Sequence, residues 1–277
     1  MRRLSLVALG LAGGCYPWVG GSWDDYWVPD EVQLVAVASQ VEHVGGYWSD
    51  PSPYGDVWLG WLEEPRAGSS VMEIFAPLGP GCTRGEVDES AITDLLGDPG
   101  AEAVFLRGPV DVELAWDASK TRLWSPVDDL PVGSWDLEQV QGTSAGDLSV
   151  LGLFSMPKAV AITGPELGGA EAAVASLDDL AFSWNPAGGD ADWVFIEVRL
   201  ASGGSSGYQS FEWATCLVPF DQGEVSFASA LWDDIERAEL VYVFQGVLNE
   251  GFERVEGRDF SASTAGLRRE LGVLRIE

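Results

Sequence analysis

Short runs of β-branched, aromatic and aliphatic residues recur along most of the chain and constrain its fold more than any other feature. Gly, Pro, Asp or Ser stand at the gaps between these runs. Many short strands punctuated in this way are typical of antiparallel all-β domains. In the first half, the runs predict strands over 32–41, 57–61, 71–75, 103–106, 110–116, 121–125, 134–140 and 148–154.

Helical spacing is rare by comparison. Residues 89–96 carry three apolar side chains at helical intervals, and Gly97 stands where a helix would end. Residues 229–236 fit a helical turn or two inside a connection. We therefore predict an all-β fold made of two antiparallel β-sandwich-like domains with one or two short helices.

The second half of the sequence gives the clearer pattern. Residues 180–186 fit a strand that ends in a turn, and alternate apolar side chains of residues 193–200 share one face. The pattern over residues 178–277 resembles a fibronectin type III or related immunoglobulin-like β-sandwich. This resemblance implies that Trp184, on an early strand, packs between two sheets. Further strands fit at 211–218, 225–227, 240–247 and 271–276.

A change of composition divides the two halves. Residues 160–165 fit the end of the first set of strands, and residues 166–176 are rich in Gly and Ala. With 46% hydrophobic residues, the chain has enough apolar material for a real core, and its length suits two domains. We predict an N-terminal β domain over 31–165 and a C-terminal fibronectin III/immunoglobulin-like sandwich over 166–277.

The first fifteen residues have the layout of an export signal. Arg2 and Arg3 precede an apolar stretch, residues 4–11, and small residues then lead to Cys15. The apolar stretch is too short to span a bilayer, which takes roughly 20 residues. Residues 11–15, Leu-Ala-Gly-Gly-Cys, resemble the lipobox of diacylglyceryl-modified bacterial lipoproteins. The alternative is an ordinary cleaved signal followed by a chance cysteine.

The lipobox resemblance implies a location and a membrane partner. It implies cleavage of a signal peptide over 1–14, lipid attachment to Cys15 and a tether over 15–30, so that the mature chain is held at a membrane of the cell envelope by its N-terminal lipid. Tyr16 follows the cysteine, where Asp would resemble a signal for retention at the inner membrane. We therefore expect the outer membrane.

The charge of the chain excludes one large class of partner. Lys and Arg total 15 against 44 Asp and Glu, which gives a net charge of −29 at pH 7. A body this negative repels phosphate backbones, so we expect no nucleic-acid partner. The acidic residues are dispersed in pairs, which is typical of a solvated surface.

Two cysteines remain once Cys15 is assigned to lipid. In an oxidising envelope, the pair Cys82 and Cys216 invites a disulfide that would join the two halves of the chain. The alternative is two unrelated buried thiols, one in each half. The sequence does not choose between them, because it gives no distance.

Patterns that invite a catalytic interpretation are incomplete. Residues 142–146 match the nucleophile elbow of serine hydrolases, but the one histidine of the chain, His43, precedes them instead of following. Ser155 and Lys158 have the spacing of the penicillin-recognising enzymes, yet Pro157 would interrupt the helix that presents such a pair. We therefore predict no catalytic residue and no cofactor.

Binding residues are suggested more weakly. Asn185, Asp190 and Asp192 bracket a turn and offer oxygen ligands for Ca²⁺, although turns favour Asp and Asn for backbone reasons alone. The tether holds three tryptophans that could contact the membrane interface or a neighbour: Trp18, Trp23 and Trp27.

The predicted function is binding or scaffolding in the cell envelope, with an envelope protein or glycan as partner. Two alternatives stay open. One is an envelope enzyme that acts on glycans through paired carboxylates. The other is a structural lipoprotein stabilised by calcium.

Overall fold

The computed structural model describes most of the chain as β-strands. Its helical segments, within the described residues, are 3₁₀ turns of three residues each: Leu177–Asp179, Pro186–Gly188, Phe220–Gln222 and Ser229–Leu231. In that part of the chain no helix has the length and apolarity needed to cross a membrane. The prediction of an all-β chain is confirmed. The described residues are 32–43, 54–66, 81–85, 96–97, 103–119, 121–140, 148–167, 174–204, 207–235, 238–254 and 260–276.

Most of the predicted strands are present, but a strand over Gly81–Arg84 was not predicted and the last strand begins at Phe260 instead of residue 271. Those of the first half are β1 (Val32–His43), β2 (Tyr54–Arg66), β3 (Gly81–Arg84), β4 (Leu96–Gly97), β5 (Ala103–Arg107), β6 (Asp111–Asp117), β7 (Arg122–Val127), β8 (Gly133–Val140) and β9 (Leu148–Met156). Those of the second half are β10 (Ile162–Gly164), β11 (Val174–Ala175), β12 (Ala181–Trp184), β13 (Trp193–Gly204), β14 (Gly207–Pro219), β15 (Glu224–Ser226), β16 (Leu240–Arg254) and β17 (Phe260–Ile276).

Two sheets contain all of these strands. The larger sheet has the order β3-β14-β13-β16-β17-β1-β2-β7-β6-β5-β8-β9, with β11 added to β17 and β4 added to β2. Its pairings are antiparallel except those of β17 with β1 and with β11, which are parallel. The smaller sheet has the order β10-β12-β15 and is antiparallel.

The first core lies inside a curve of the larger sheet. Buried side chains of β1, β2 and each of the strands β5 to β9 form this core. Strand β9 also packs against β16, β17 and β1. Trp135 of β8 is fully buried at its centre and stacks on Phe154 of β9, with the ring centroids 5.9 Å apart. Strand β5 shows that one face of this sheet is covered, because Val104 and Leu106 are buried in this core while Phe105 and Arg107 face solvent.

The second core lies between two sheets. The small sheet, β10-β12-β15, packs against β13, β14 and β16, and their apolar side chains form one cluster. Trp184 of β12 is buried in this cluster, as the resemblance to fibronectin III domains implied, and its Nε1 donates to the carbonyl oxygen of Phe220 at 2.8 Å. The small sheet thus forms one layer, and the adjacent strands β14, β13, β16 and β17 of the larger sheet form the other. This arrangement is an immunoglobulin-like β-sandwich.

The two cores are joined by the longest strands of the molecule. Strand β16 has 15 residues and β17 has 17. The first residues of β17 pair with β1, and its last residues pair with the beginning of β16. A side-chain contact adds to this join, since Nδ2 of Asn249 in β16 donates to the carbonyl oxygen of Ser155 in β9 at 3.0 Å.

One predicted helix, one predicted strand and the predicted domain boundary can be compared with the structure residue by residue. Most of the predicted helix over 89–96, and the predicted strand over 71–75, lie outside the described residues; Leu96 itself begins the short strand β4. Val160 and Ile162, which precede the predicted domain boundary at residue 165, pack with the second core. The division into two domains stays a prediction, because β16 and β17 pass through both regions.

Candidate functional site

A strand from the first half of the chain covers the edge of the C-terminal sheet. Strand β3 pairs with β14, with Cys82 opposite Cys216 and Arg84 opposite Ala214. Cys82 and Cys216 form a disulfide across this pair. Cys216 is fully buried in the second core, and Cys82 packs against that core while partly exposed. The disulfide therefore links residues 134 positions apart in the sequence.

An ion cluster lies beside the disulfide. Nη2 of Arg84 donates to Oε2 of Glu212 at 2.7 Å, and Nη1 donates to Asp234 and, at 3.3 Å, to the carbonyl oxygen of Leu231. Glu212 belongs to β14, whereas Leu231 and Asp234 belong to the connection between β15 and β16. One arginine thus joins β3 to two further elements. We call Arg84, Glu212 and Asp234 the Arg84 cluster.

The charges of the Arg84 cluster stabilise one another. The hydrogen bond from Arg84 lowers the pKa of Glu212, against the opposing effect of partial burial, and a hydrogen bond from the same arginine lowers the pKa of Asp234. The two carboxylates in turn raise the pKa of Arg84, Glu212 more strongly than Asp234. Both carboxyl groups are therefore ionised at neutral pH, which suits holding a cation and does not suit donating a proton.

A second arginine contacts two carboxylates at the surface of the first region. Arg107 of β5 donates to Glu138 of β8 and to Asp111 of β6. The hydrogen bond to Glu138 contributes most to the raised pKa of Arg107. Its guanidinium also lies 5.5 Å from the ring centroid of Phe105, which is 39% exposed. This cluster joins strands that are already neighbours in the sheet.

The outer face of the C-terminal sheet presents aromatic and charged side chains. Alternate residues of β13 point into the second core, so those between them lie on the opposite face. On that face Arg199 donates to Glu197 and lies 4.6 Å from the ring centroid of Phe244. The register places Trp213 and Tyr242 on either side of Arg199, both half-buried. Arg199 therefore lies among aromatic residues on this face, and the ring of Phe244 is itself buried.

Among the residues that the structure describes, Leu151 and Phe211 are exposed apolar side chains on strands. Leu151 is 77% exposed at an irregularity of β9, where Gly152 has a φ of 65° and its N–H donates to Oδ1 of Asp136 at 2.6 Å. Only glycine adopts this backbone conformation without strain. Gly152 therefore permits the bulge, and the bulge leaves Leu151 exposed. In the second region, Phe211 is 41% exposed on β14.

The proposed calcium ligands have partners of their own. Oδ1 of Asn185 accepts from the N–H of Ala187 at 3.0 Å, and Oδ1 of Asp190 accepts from the N–H of Lys158 at 3.1 Å. The N–H of Asp192 donates to Oδ1 of Asn249. Among the residues that the structure describes, no group of three or more His, Cys, Asp or Glu side chains could hold a metal ion. The calcium interpretation stays a prediction.

The remaining predicted residues fall into two groups. Cys15, Trp18, Trp23 and Trp27 lie outside the described residues, as do 142–146 of the serine-hydrolase pattern. Ser155 and Lys158 are described, and Ser155 lies in strand β9, where the penicillin-recognising pattern would need a helix. Lys158 has its Nζ 3.9 Å from Oδ2 of Asp190.

Sequence reasoning missed the Arg84 cluster. Glu212 and Asp234 are 128 and 150 residues away from Arg84 along the chain, and both occur among many other acidic residues. A usable signal was local: the short segment Gly81–Arg84 combines one of the three cysteines of the chain with an arginine. The spacing of two places puts both side chains on one face of a strand.

These features define a class of protein: an all-β chain whose C-terminal half is an immunoglobulin-like sandwich, clamped at its edge by a strand from the N-terminal half. No protein-family model matches the sequence, and no curated protein matches it either. Among solved structures, the chain is similar to the crystal structure of the FN1–FN3 domains of chicken CNTN1, at 9% identity and a TM-score of 0.25. The similarity covers 88% of this chain and 65% of that chain. It carries no conclusion about function, and the sandwich is defined by the strand order given above.

Proposed function

We propose that the protein is a lipid-anchored scaffold of the cell envelope that holds its C-terminal sandwich away from the membrane for contact with a partner protein. The continuity of β16 and β17 through both regions is the observation that supports this proposal. A lipid on Cys15 would pull on β1, and β1 pairs along its whole length with β17.

The register supports one orientation of the proposed anchor. Val32, the first residue of β1, pairs with Phe260 at the start of β17 and with Arg66 at the end of β2. These residues share the end of the sheet at which the tether enters. At the opposite end, Leu240 pairs with Arg275 and with Ala201. This register supports placing the sandwich at the end farther from a tether over 15–30.

The length of β17 sets the reach of the scaffold. Its 17 residues rise about 3.3 Å each, which gives about 55 Å along the strand. The hairpin of β13 and β14 extends beyond Leu240, and the exposed Phe211 lies near that end. An exposed aromatic ring at the far end of a rigid body is suited to anchor a protein contact.

Metabolic labelling with a fatty acid tests the anchor. Wild-type protein in its native host should carry the label and sediment with membranes, and a Cys15→Ser variant should lose both. The matched control is Cys82→Ser/Cys216→Ser, which should keep the label, because those residues lie far from the signal. Label and membrane fraction that are unchanged in the Cys15→Ser variant would contradict the proposal.

Crosslinking in intact cells tests the partner. A photoreactive residue in place of Phe211 should capture a specific envelope protein, whereas the same residue in place of Tyr54, 55% exposed and paired with Val41 in the other region, should not capture it. Equal capture at both positions, or capture of glycan alone, would overturn the proposed protein contact at the far end.

A further inference from the structure

We propose that the edge of β14 is a docking site for an extended, arginine-bearing segment, and that β3 is the segment which occupies it within the same chain. The site consists of the backbone edge of β14 together with Glu212, Asp234 and the carbonyl oxygen of Leu231. This inference does not depend on the lipid anchor.

The backbone of β14 supplies the general part of the recognition. Four residues of β3 pair with Ala214 to Leu217 in antiparallel register, and the N–H of Gly85 adds a bond to the carbonyl oxygen of Trp213 at 2.9 Å. A sheet edge accepts an added strand in this way in many peptide complexes. An edge left uncovered is open to pairing with other chains, so β3 also protects the sandwich.

Chain connectivity does not impose this pairing. Strand β3 follows β2 and precedes β4, and both of those belong to the first region. The paired cysteines are 134 residues apart, so docking closes a long loop, which is entropically unfavourable. Specific contacts must therefore select the segment.

The Arg84 cluster provides that selectivity. Two carboxylates from separate elements face one guanidinium, so the site without its occupant is doubly negative and favours a cation. Nη1 and Nη2 reach different acceptors, a planar fork of two nitrogens that a guanidinium provides and the single ammonium nitrogen of lysine does not. The ligand class is therefore an extended peptide whose arginine lies two places after the residue that stands opposite Cys216.

The same contacts align the two thiols. Cys82 and Arg84 are two places apart and lie on one face of β3, so a slip of one residue would turn both away from their partners. In the observed register Cys82 stands opposite Cys216. A disulfide oxidant such as glutathione disulfide can then take two electrons and two protons from the pair, forming the disulfide and two glutathione thiols. The covalent bond makes the docking permanent.

Capture of a peptide in trans tests the site directly. The full-length chain carries Cys15→Ser, Cys82→Ser and Arg84→Glu, so that its own strand no longer docks and Cys216 is the remaining thiol. The probe is a blocked peptide of residues 79–87, GPGCTRGEV, with its cysteine joined to thionitrobenzoate. Attack by the Cys216 thiolate forms the protein–peptide disulfide and releases the coloured thionitrobenzoate anion.

The rate should depend on the arginine. The native peptide should react about tenfold faster than a peptide with Gln at the arginine position, because hydrogen bonds to charged groups are the strong ones. Adding Glu212→Gln and Asp234→Asn to the protein should remove this difference, and so should urea. Equal rates for the two peptides in the native protein would overturn the proposal.

A second measurement applies if the triple variant does not fold. In the intact chain with Cys15→Ser, equilibration with reduced and oxidised glutathione gives the effective concentration of the Cys82–Cys216 pair. Arg84→Gln should lower it about tenfold, whereas Arg107→Gln, which also removes contacts to two carboxylates, should leave it unchanged. The same value in both variants would contradict a docking role for Arg84.

Discussion

The two regions enclose their cores in different ways. In the first region one sheet curls around Trp135, and strands that are mostly close in sequence pair with one another. In the second region two sheets face each other around Phe182, and a distant strand closes one edge by a disulfide. Apart from the pairing of β1 with β17, contacts within residues 32–156 therefore build the first core, whereas the second core also includes a strand from the first half of the chain.

The two arginine clusters show the same difference on a smaller scale. Arg107 joins Asp111 and Glu138, which lie 4 and 31 residues away on strands that pair with β5. Arg84 joins residues 128 and 150 places away and so brings separate elements together. The Arg84 cluster therefore connects elements that are distant in sequence, whereas the contacts of Arg107 connect strands that already pair.

Removal of the disulfide should have the largest effect. A crosslink that closes a loop of 134 residues stabilises the folded state by about 5 kcal/mol in the chain-entropy treatment. We expect Cys82→Ser/Cys216→Ser to lower the free energy of unfolding by that order, as measured by urea denaturation with circular dichroism. Cys15→Ser is the control and should change nothing. A loss below about 1 kcal/mol would mean that β3 contributes little to the second core.

Truncation of one large side chain in each core compares the two regions directly. Trp135 and Phe182 are both almost fully buried, and each packs against another ring, Phe154 and Phe227 respectively. We expect Trp135→Ala and Phe182→Ala each to cost about 3–5 kcal/mol in unfolding free energy. A cost near zero for either would show that its core is not packed as described.

The Arg84 cluster should contribute less than either core. We expect Arg84→Gln to cost about 1 kcal/mol, because the ion pairs are partly solvated, and Arg107→Gln to cost less than Arg84→Gln. Since Arg84 lowers the pKa of Glu212 and Asp234, its contribution is present above the ordinary carboxyl pKa and is lost as the pH falls through the lowered values. Urea denaturation at neutral and acidic pH measures this. An advantage of wild type that grows on acidification would contradict the assigned charges.

The smallest effect is expected at Leu151. Its side chain is 77% exposed, so Leu151→Ser should change the free energy of unfolding by less than about 0.5 kcal/mol. Gly152→Ala is the informative neighbour, because a φ of 65° strains any side chain there. A larger loss of unfolding free energy for Leu151→Ser than for Gly152→Ala would show that the backbone conformation of Gly152 does not determine the structure at this bulge.

Strand positions could be predicted from sequence because alternation and turn residues are local signals. The run at 193–200 is an example: its four alternate apolar residues all lie in the second core. The sequence predicts β17 only over 271–276, whereas the strand begins at Phe260, because residues 261–270 are mostly polar or small and show no apolar alternation. The parallel pairing of β1 with β17 has no local signal at all, because it joins the two ends of the chain.

The candidate site was predicted only in part. The two cysteines were identified as a pair with two open interpretations, because a sequence carries no distances. The Arg84 cluster depends on which 2 of 44 acidic residues come near one arginine, and only the folded sheet order decides that. The burial of Trp184 was implied by the resemblance to fibronectin III domains, which rests on the strand and turn of residues 180–186.

Because β16 and β17 pass through both regions, we expect the two regions to unfold as one unit. Hydrogen exchange of the wild-type chain across a urea series, followed by mass spectrometry, tests it most directly by comparing peptides from β6 in the first region with peptides from β13 in the second. We predict that both sets lose protection at the same urea concentration, in one transition. Two separate midpoints, with one region still protected after the other has unfolded, would contradict this account.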